Sequence, residues 1–143
     1  MRYFDASAPV KRYVRENGSA AVHRLLSSDT PVMSRLSEVE VALALMRLAR
    51  EGALMAAERD RALATFAADV EAVMVVELAQ EITAGATELL RRHQLRAGDA
   101  IQLTSCLFLQ GQVGETVPFV AFDRRLTEVA RLEGLETRPA SRR

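Results

Sequence analysis

Short apolar segments alternate along the chain with longer stretches in which apolar residues recur at helical spacing. Residues 72–76 form the clearest apolar segment, and their β-branched side chains predict a buried strand. Short strands that alternate with helices are typical of a parallel sheet covered on both faces. We therefore predict an α/β fold with a short parallel sheet of about five strands. The strands are expected at 2–4, 31–33, 72–76, 117–122 and 135–137, and the helices at 7–17, 20–26, 36–50, 55–69, 78–92, 98–110 and 124–133.

The length and composition of the chain fit a single domain. It has 143 residues, of which 49% are apolar, and this is enough for a hydrophobic core without disulfides. No linker, repeat or low-complexity tract divides it, so residues 1–143 are expected to form one domain with a frayed tail after about residue 138. The 19 basic and 19 acidic residues balance, which excludes a strongly charged, disordered chain and gives no overall attraction to nucleic acid.

The single cysteine and the short apolar segments predict the compartment. Cys106 has no second cysteine with which to form an internal disulfide, so a reducing cytoplasm is the natural environment. The apolar segments are far shorter than the roughly 18 residues that a membrane helix needs, and the N-terminus lacks the apolar run of a signal peptide. We therefore expect a cytoplasmic protein that makes no contact with a membrane.

Four acidic residues lie where an α/β fold forms its functional crevice. Asp5 directly follows the first predicted strand and Asp123 directly follows the fourth. Crevices of this kind form beyond the carboxyl ends of parallel strands. Asp99 stands at the start of a predicted helix, and Glu40 lies near the start of another. These positions make the four acids candidate site residues.

Each of these acids also fits an ordinary structural role. The three aspartates could cap helices or complement the helix dipole in a first turn. Ser37 and Glu40 have the Ser-x-x-Glu spacing of a capping box. Helical spacing does not choose between Glu38 and Glu40 as a site residue, because the two lie about 200° apart around the helix axis. Position alone therefore leaves both interpretations open.

The four acids occur within distinctive local patterns. Residues 3–13 read YFDASAPVKRY, in which Asp-x-Ser-Ala ends a strand and leads into a helix. Residues 34–40 read SRLSEVE, residues 95–103 read LRAGDAIQL, and residues 119–126 read FVAFDRRL. In order and spacing these segments resemble the four motifs of PIN domains, especially those of VapC-type toxins, over about residues 2–135. The resemblance implies a single PIN-like domain whose site acids are Asp5, Glu40, Asp99 and Asp123.

This resemblance implies a ribonuclease, because PIN domains of this type hydrolyse RNA phosphodiester bonds with divalent metal ions. Mg²⁺ or Mn²⁺ is the expected cofactor, since both prefer oxygen ligands and a cation relieves the repulsion between clustered carboxylates. Asp5, Glu40 and Asp99 are expected to bind the metal directly or through water, and Asp123 to complete the site or hold a second ion. Ser7 is expected to orient Asp5 or a metal-bound water.

The resemblance also implies partners for the chain. RNA is the expected substrate, and the expected inhibitor is a small antitoxin protein that covers the crevice. Lys11, Arg12, Arg124 and Arg125 are the candidates for contacts with RNA, although basic clusters also fit solvated helix faces paired with local acids. Residues 39–49 are apolar around much of the predicted helix, so a homodimer is expected.

The chain departs from the family pattern at several positions, which keeps other functions open. Pro9 and Gly98 stand where leucine is common, Gln102 where histidine is common, and Ala121 where serine or threonine is common. A PIN-like module that binds RNA or protein with weak or no catalysis is the main alternative. A phosphatase or response-regulator-like domain is a third class, but the threonine or serine and the lysine that it requires are not in evident positions.

Overall fold

The chain folds around a sheet of five strands, in which every neighbouring pair is parallel. The structure is a computed structural model that describes residues 1–139. The strands are β1 (Arg2–Phe4), β2 (Pro31–Ser34), β3 (Met74–Val76), β4 (Phe119–Val120) and β5 (Thr137–Arg138). The helices are α1 (Val10–Tyr13), α2 (Ser19–Ser28), α3 (Ser37–Arg50), α4 (Ala56–Ala72), α5 (Gln80–Arg92), α6 (Ala97–Val113) and α7 (Arg124–Leu132).

The sheet is covered on both faces. Successive residues of its central strands point to opposite sides, so each face contributes side chains to a core. The strand order is β3-β2-β1-β4-β5. On one face Tyr3 and Phe119 stack with ring centroids 5.8 Å apart, and they pack with Leu103 of α6. On the other face Phe4 packs with Val22 of α2. The predicted α/β architecture with five parallel strands is confirmed.

The first helix is shorter than predicted. The sequence predicts a helix over 7–17, but α1 contains only Val10–Tyr13, and Val14 is already extended with φ −127° and ψ 131°. The residues before α1 form a turn in which the Asp5 side chain accepts the Ser7 backbone N–H at 3.1 Å. Side-chain hydrogen bonds of this kind compete with helix formation, which explains the late start of α1.

Several other helices and strands begin or end at residues other than those predicted. Residue 72, predicted to start a strand, instead completes α4, and β3 begins at Met74. The strand predicted over 117–122 pairs as β4 over two residues, Phe119–Val120. Helix α6 begins one residue earlier and ends three residues later than the predicted range 98–110. Asp5 directly follows β1 as predicted, whereas the shorter β4 leaves Asp123 three residues beyond the end of its strand rather than directly after it.

Two predictions concern the ends of the chain and the membrane. Within residues 1–139, no helix is long and apolar enough to cross a membrane. Residues 140–143, which make up most of the tail that is predicted to fray, lie outside the described residues.

Candidate active site

The four predicted acids line one cleft at the carboxyl edge of the sheet. The cleft has a volume of about 330 Å³ and is lined in part by Asp5, Glu40, Asp99 and Asp123. Asp5 and Asp123 follow the adjacent strands β1 and β4, whereas Glu40 lies on α3 and Asp99 on α6. The structure therefore brings all four together, although they lie far apart in the sequence.

Asp5 is the most buried of the four acids. Only 4% of its surface is exposed, and its Oδ2 accepts hydrogen bonds from the Ser7 backbone N–H at 3.1 Å and from the Ser7 hydroxyl at 2.7 Å. Burial raises the pKa of Asp5 from 3.8 to about 6 against the opposing effect of the Ser7 bonds, and the carboxylates of Glu40 and Asp99 add to the rise. A cation beside Asp5 would favour its ionised form.

Ser7 connects Asp5 to the segment that carries Asp123. Its hydroxyl donates to Asp5 Oδ2 and accepts the Phe122 backbone N–H at 3.1 Å. No group within residues 1–139 donates a hydrogen bond to Asp5 Oδ1, so this oxygen is available to a ligand. The structure thus places Ser7 where it orients Asp5, and a role toward a metal-bound water stays a prediction.

Glu40 is half-buried on the first turn of α3. Its Oε1 accepts a hydrogen bond from Gln102 Nε2 at 3.3 Å. Gly98 lies against the same carboxylate, because a Cβ at this position would come within 3.1 Å of Glu40 Oε1. Burial raises the pKa of Glu40, the Gln102 bond opposes this rise, and the Asp99 carboxylate adds to it.

The capping interpretation of Ser37 and Glu40 is wrong. No side chain caps the start of α3, and the Ser37 hydroxyl instead accepts a hydrogen bond from Gln102 Nε2 at 3.0 Å. Glu38 forms an ion pair with Arg35 and does not line the acidic cleft. The motif therefore selects the glutamate that lies in the cleft, which helical spacing could not do.

Asp99 and Asp123 differ in their structural roles. Asp99 lies in the first turn of α6 and does not cap it, since the N-cap position is Arg96. Burial raises the pKa of Asp99, the Asp123 carboxylate adds to the rise, and Arg96 lowers it. Asp123 caps α7, because its Oδ1 accepts the Leu126 backbone N–H at 3.0 Å. Asp123 thus has its predicted capping role and a place in the cleft.

The donor chemistry of the cleft fits a hard divalent cation. No three acidic, histidine or cysteine side chains in the described part of the chain converge tightly enough to form a ready-made metal-binding group. Mg²⁺ does not need such a group, because it keeps several waters and is commonly bound through one or two carboxylates. Three carboxylates with raised pKa values, among them the buried Asp5, are the groups that a cation would stabilise.

The predicted RNA-contacting residues lie in different surroundings. Lys11 and Arg12 do not line the acidic cleft. Arg125 lines an adjoining cleft of about 480 Å³ that shares Asp99 and Asp123 with the acidic cleft. The other three basic side chains have carboxylate partners: Glu16 for Lys11 at 3.2 Å, Asp69 for Arg12 at 3.0 Å, and Glu128 for Arg124 at 3.7 Å.

Two arginines outside the predicted set of RNA contacts also line the acidic cleft, Arg47 and Arg96. Arg96 belongs to a basic cluster (Arg91, Arg92 and Arg96) that the sequence also offers as a rim for nucleic acid. Both side chains are exposed, and neither forms an ion pair within residues 1–139. Arg47 follows Glu40 by two helical turns on α3, so its position on the same face could have been read from the sequence. Nothing in the sequence showed that Arg96 stands across from α3.

The comparison with protein families agrees with this geometry. The family model of the PIN domain matches residues 2–132. The chain belongs to the PIN-domain family. Two relatives from Mycobacterium tuberculosis, ribonuclease VapC45 of strain CDC 1551 and ribonuclease VapC49 of strain H37Rv, are each 37% identical to this PIN domain over 139 residues. Each alignment covers 96% of this chain and 94% of the relative, which confirms the resemblance to VapC-type toxins.

Solved structures show the same fold at lower sequence identity. The sarcin-ricin loop cleaving toxin VapC20 of M. tuberculosis matches this PIN domain with a TM-score of 0.66 and 18% identity, over 90% of this chain and 95% of the toxin. A toxin–antitoxin complex from Klebsiella pneumoniae contains a chain that matches with a TM-score of 0.62 and 13% identity, over 86% of this chain and 87% of that one.

Proposed function

We propose that this PIN domain is a metal-dependent endoribonuclease and the toxin of a toxin–antitoxin pair. The observation that carries the proposal is the cleft that four carboxylates line, three of them with raised pKa values. The 37% identity to two VapC ribonucleases over almost the whole chain supports RNA as the substrate. Inside a reducing cytoplasm the buried, unpaired Cys106 would stay reduced.

Asp5, Glu40 and Asp99 would hold Mg²⁺ or Mn²⁺, with Asp123 completing the site. When bound, such an ion supplies a water of lowered pKa and shields the charge of the scissile phosphate. Ser7 holds Asp5 through the 2.7 Å hydrogen bond to Oδ2, so that Oδ1 remains available to the ligand. Gln102 restrains Glu40 through its bond to Oε1.

Arg47, Arg96 and Arg125 are the best candidates for contacts with RNA phosphates. Arg47 and Arg96 line the acidic cleft, and Arg125 lines the adjoining one. Guanidinium groups bind phosphate oxygens in pairs of parallel hydrogen bonds. Phosphates on either side of the scissile bond could therefore be held while the carboxylates act on the bond between them.

The proposed protein partners are a small antitoxin and a second copy of the chain. The similarity to a chain of a toxin–antitoxin complex supports the antitoxin, and a short neighbouring gene for a DNA-binding protein would supply it. Exposed apolar side chains on α3, with Val39 67% and Leu43 50% accessible, support a homodimer.

The proposed activity is tested by incubating the purified chain with single-stranded RNA oligonucleotides. We expect cleavage with Mg²⁺ or Mn²⁺, none with EDTA, and recovery when either ion is added back. Titration of the chain with Mn²⁺ in a calorimeter should show binding that Asp5→Asn weakens. Cleavage that persists unchanged in EDTA would contradict the metal dependence, and binding of RNA without cleavage would favour the non-catalytic alternative.

A further inference from the structure

A buried chain of hydrogen bonds runs from the core of the sheet to the Glu40 carboxylate. The Tyr3 hydroxyl donates to Gln102 Oε1 at 2.6 Å. Gln102 Nε2 donates to Ser37 Oγ at 3.0 Å and to Glu40 Oε1 at 3.3 Å. Tyr3, Ser37 and Gln102 are fully buried, each with 0% of its surface exposed. These hydrogen bonds connect β1, α6 and α3 beneath the acidic cleft.

The hydrogen-bonding capacity of the Gln102 amide matches its partners. Nε2 carries two hydrogens and faces two acceptors, while Oε1 accepts from Tyr3. The reverse orientation of the amide would bring its oxygen against the Glu40 carboxylate and lose that bond, because an ionised carboxylate has no hydrogen to donate. Tyr3 is itself fixed by stacking on Phe119. The amide is therefore held in the one orientation that donates to Glu40.

Glu40 depends on this donor. Within residues 1–139, the hydrogen bond that its carboxylate receives comes from Gln102, and the Gly98 backbone lies against the same oxygen. Gln102 itself does not line the cleft. A buried amide without hydrogen-bond partners lowers the stability of the fold, whereas an apolar side chain in the same place has no such cost. The bonds of Gln102 thus end at a group of the proposed site rather than closing within the core.

We infer that Gln102 is a positioning residue for Glu40, with Tyr3 fixing the orientation of its amide. This inference rests on the proposed function, since it concerns the acid that would bind the metal ion. Gln102 acts through Glu40 and touches neither RNA nor the reacting atoms. Residues that orient a ligand in this way commonly change metal affinity or activity by about 10- to 100-fold when they are replaced.

The test compares Gln102→Met with the double variant Tyr3→Phe and Gln102→Met. Methionine keeps the volume of the side chain and removes its hydrogen bonds, which leaves the Tyr3 hydroxyl without this partner. The double variant also removes the hydroxyl, so part of the lost thermal stability should recover while Glu40 stays unsupported. We expect both variants to lose about 10- to 100-fold in kcat for RNA cleavage and in Mn²⁺ affinity by calorimetry, with KM within about twofold.

Thr104→Val is the matched control on α6. Thr104 is buried two residues after Gln102, and its hydroxyl has no hydrogen-bond partner in the described part of the chain. Its removal should leave kcat and Mn²⁺ affinity unchanged. A folded double variant that keeps both kcat and Mn²⁺ affinity within twofold of the wild type would overturn the inference. If the wild type does not cleave RNA, the proposed function fails, and the Mn²⁺ titration still tests the role of Gln102.

Discussion

At the scale of a single residue, Asp5 shows that the site lowers the stability of the folded protein. Its carboxyl group is buried at the end of the central strand, where only Ser7 donates hydrogen bonds to it among residues 1–139. Burial and the neighbouring carboxylates favour its neutral form. The proposed cation site therefore holds Asp5 in an environment that disfavours its charge, and a bound cation would relieve this.

The buried Asp5 should make the stability of the metal-free protein depend on pH. Its pKa is raised from 3.8 to about 6, so between about pH 4 and pH 6 the folded state keeps a proton that the unfolded state has released. The free energy of unfolding should fall over this range, by on the order of 3 kcal/mol from Asp5. We expect Asp5→Asn, which cannot ionise but can still accept the Ser7 bonds, to lose less stability over this range and to be more stable at neutral pH.

Urea unfolding in EDTA from pH 4 to pH 7, followed by circular dichroism, measures this difference. Asp60→Asn is the control, because Asp60 is 65% exposed on α4 and pairs with Arg59. It should give the pH profile of the wild type. An Asp5→Asn profile that runs parallel to the wild type would show that Asp5 does not cause the pH dependence.

The first turn of α6 shows at the scale of an element how the backbone makes room for the site. Gly98 carries no side chain where a Cβ would come within 3.1 Å of Glu40 Oε1, whereas a Cβ at Gly111 on the same helix would meet nothing within 4 Å. Leucine, common in the family at the position of Gly98, would crowd this carboxylate. The glycine therefore suits the particular arrangement of Glu40 in this chain.

Gly98→Ala and Gly111→Ala form a matched pair that tests this arrangement. Each substitution should stabilise α6 by up to about 1 kcal/mol, because alanine favours a helix over glycine. Gly98→Ala should also displace the Glu40 carboxylate by a few tenths of an ångström and lower RNA cleavage by roughly tenfold. Gly111→Ala should cleave like the wild type. Equal cleavage rates for the two variants would show that the contact with Glu40 is unimportant.

The elements differ in how well the sequence predicts them. The strands around residues 3, 32 and 75 follow from short apolar segments, because burial on both faces of a parallel sheet demands them. The late start of α1 does not follow, since it depends on the Asp5–Ser7 hydrogen bonds rather than on helical spacing. The bond from Gln102 to Glu40 joins residues 62 positions apart, and no local pattern reveals it.

At the scale of the whole molecule, the order of the strands brings the residues of the site together. Because β1 lies between β2 and β4, Asp5 is central, with the segment after β4 on one side and α3, which follows β2, on the other. The motifs predict which acids converge, and the parallel sheet explains why they converge at its carboxyl edge. The sequence places Arg47 on the face of α3 that carries Glu40, but it does not show that Arg96 borders the cleft, because this depends on how α3 and α6 face each other.

The proposed homodimer is a second property of the whole molecule. Light scattering at tens of micromolar should give twice the mass of the chain. Val39→Lys should shift the protein to a monomer, because Val39 is 67% exposed on α3, and a charge there would oppose an apolar contact. Leu132→Lys is the control, since Leu132 is 77% exposed on α7. A wild type that is strictly monomeric would contradict the proposal.

Metal-dependent RNA cleavage by Glu40→Gln and Glu38→Gln tests most directly whether the acidic cleft is the nuclease centre. The two glutamates lie two residues apart on α3, but only Glu40 lines the cleft, while Glu38 pairs with Arg35. Measured with Mn²⁺ under single-turnover conditions, Glu40→Gln should lose at least about 100-fold in rate. This is more than the loss expected when a residue that only orients a metal ligand is replaced. Glu38→Gln should cleave at the rate of the wild type. Loss of cleavage in Glu38→Gln with activity retained in Glu40→Gln would contradict the assignment of the site.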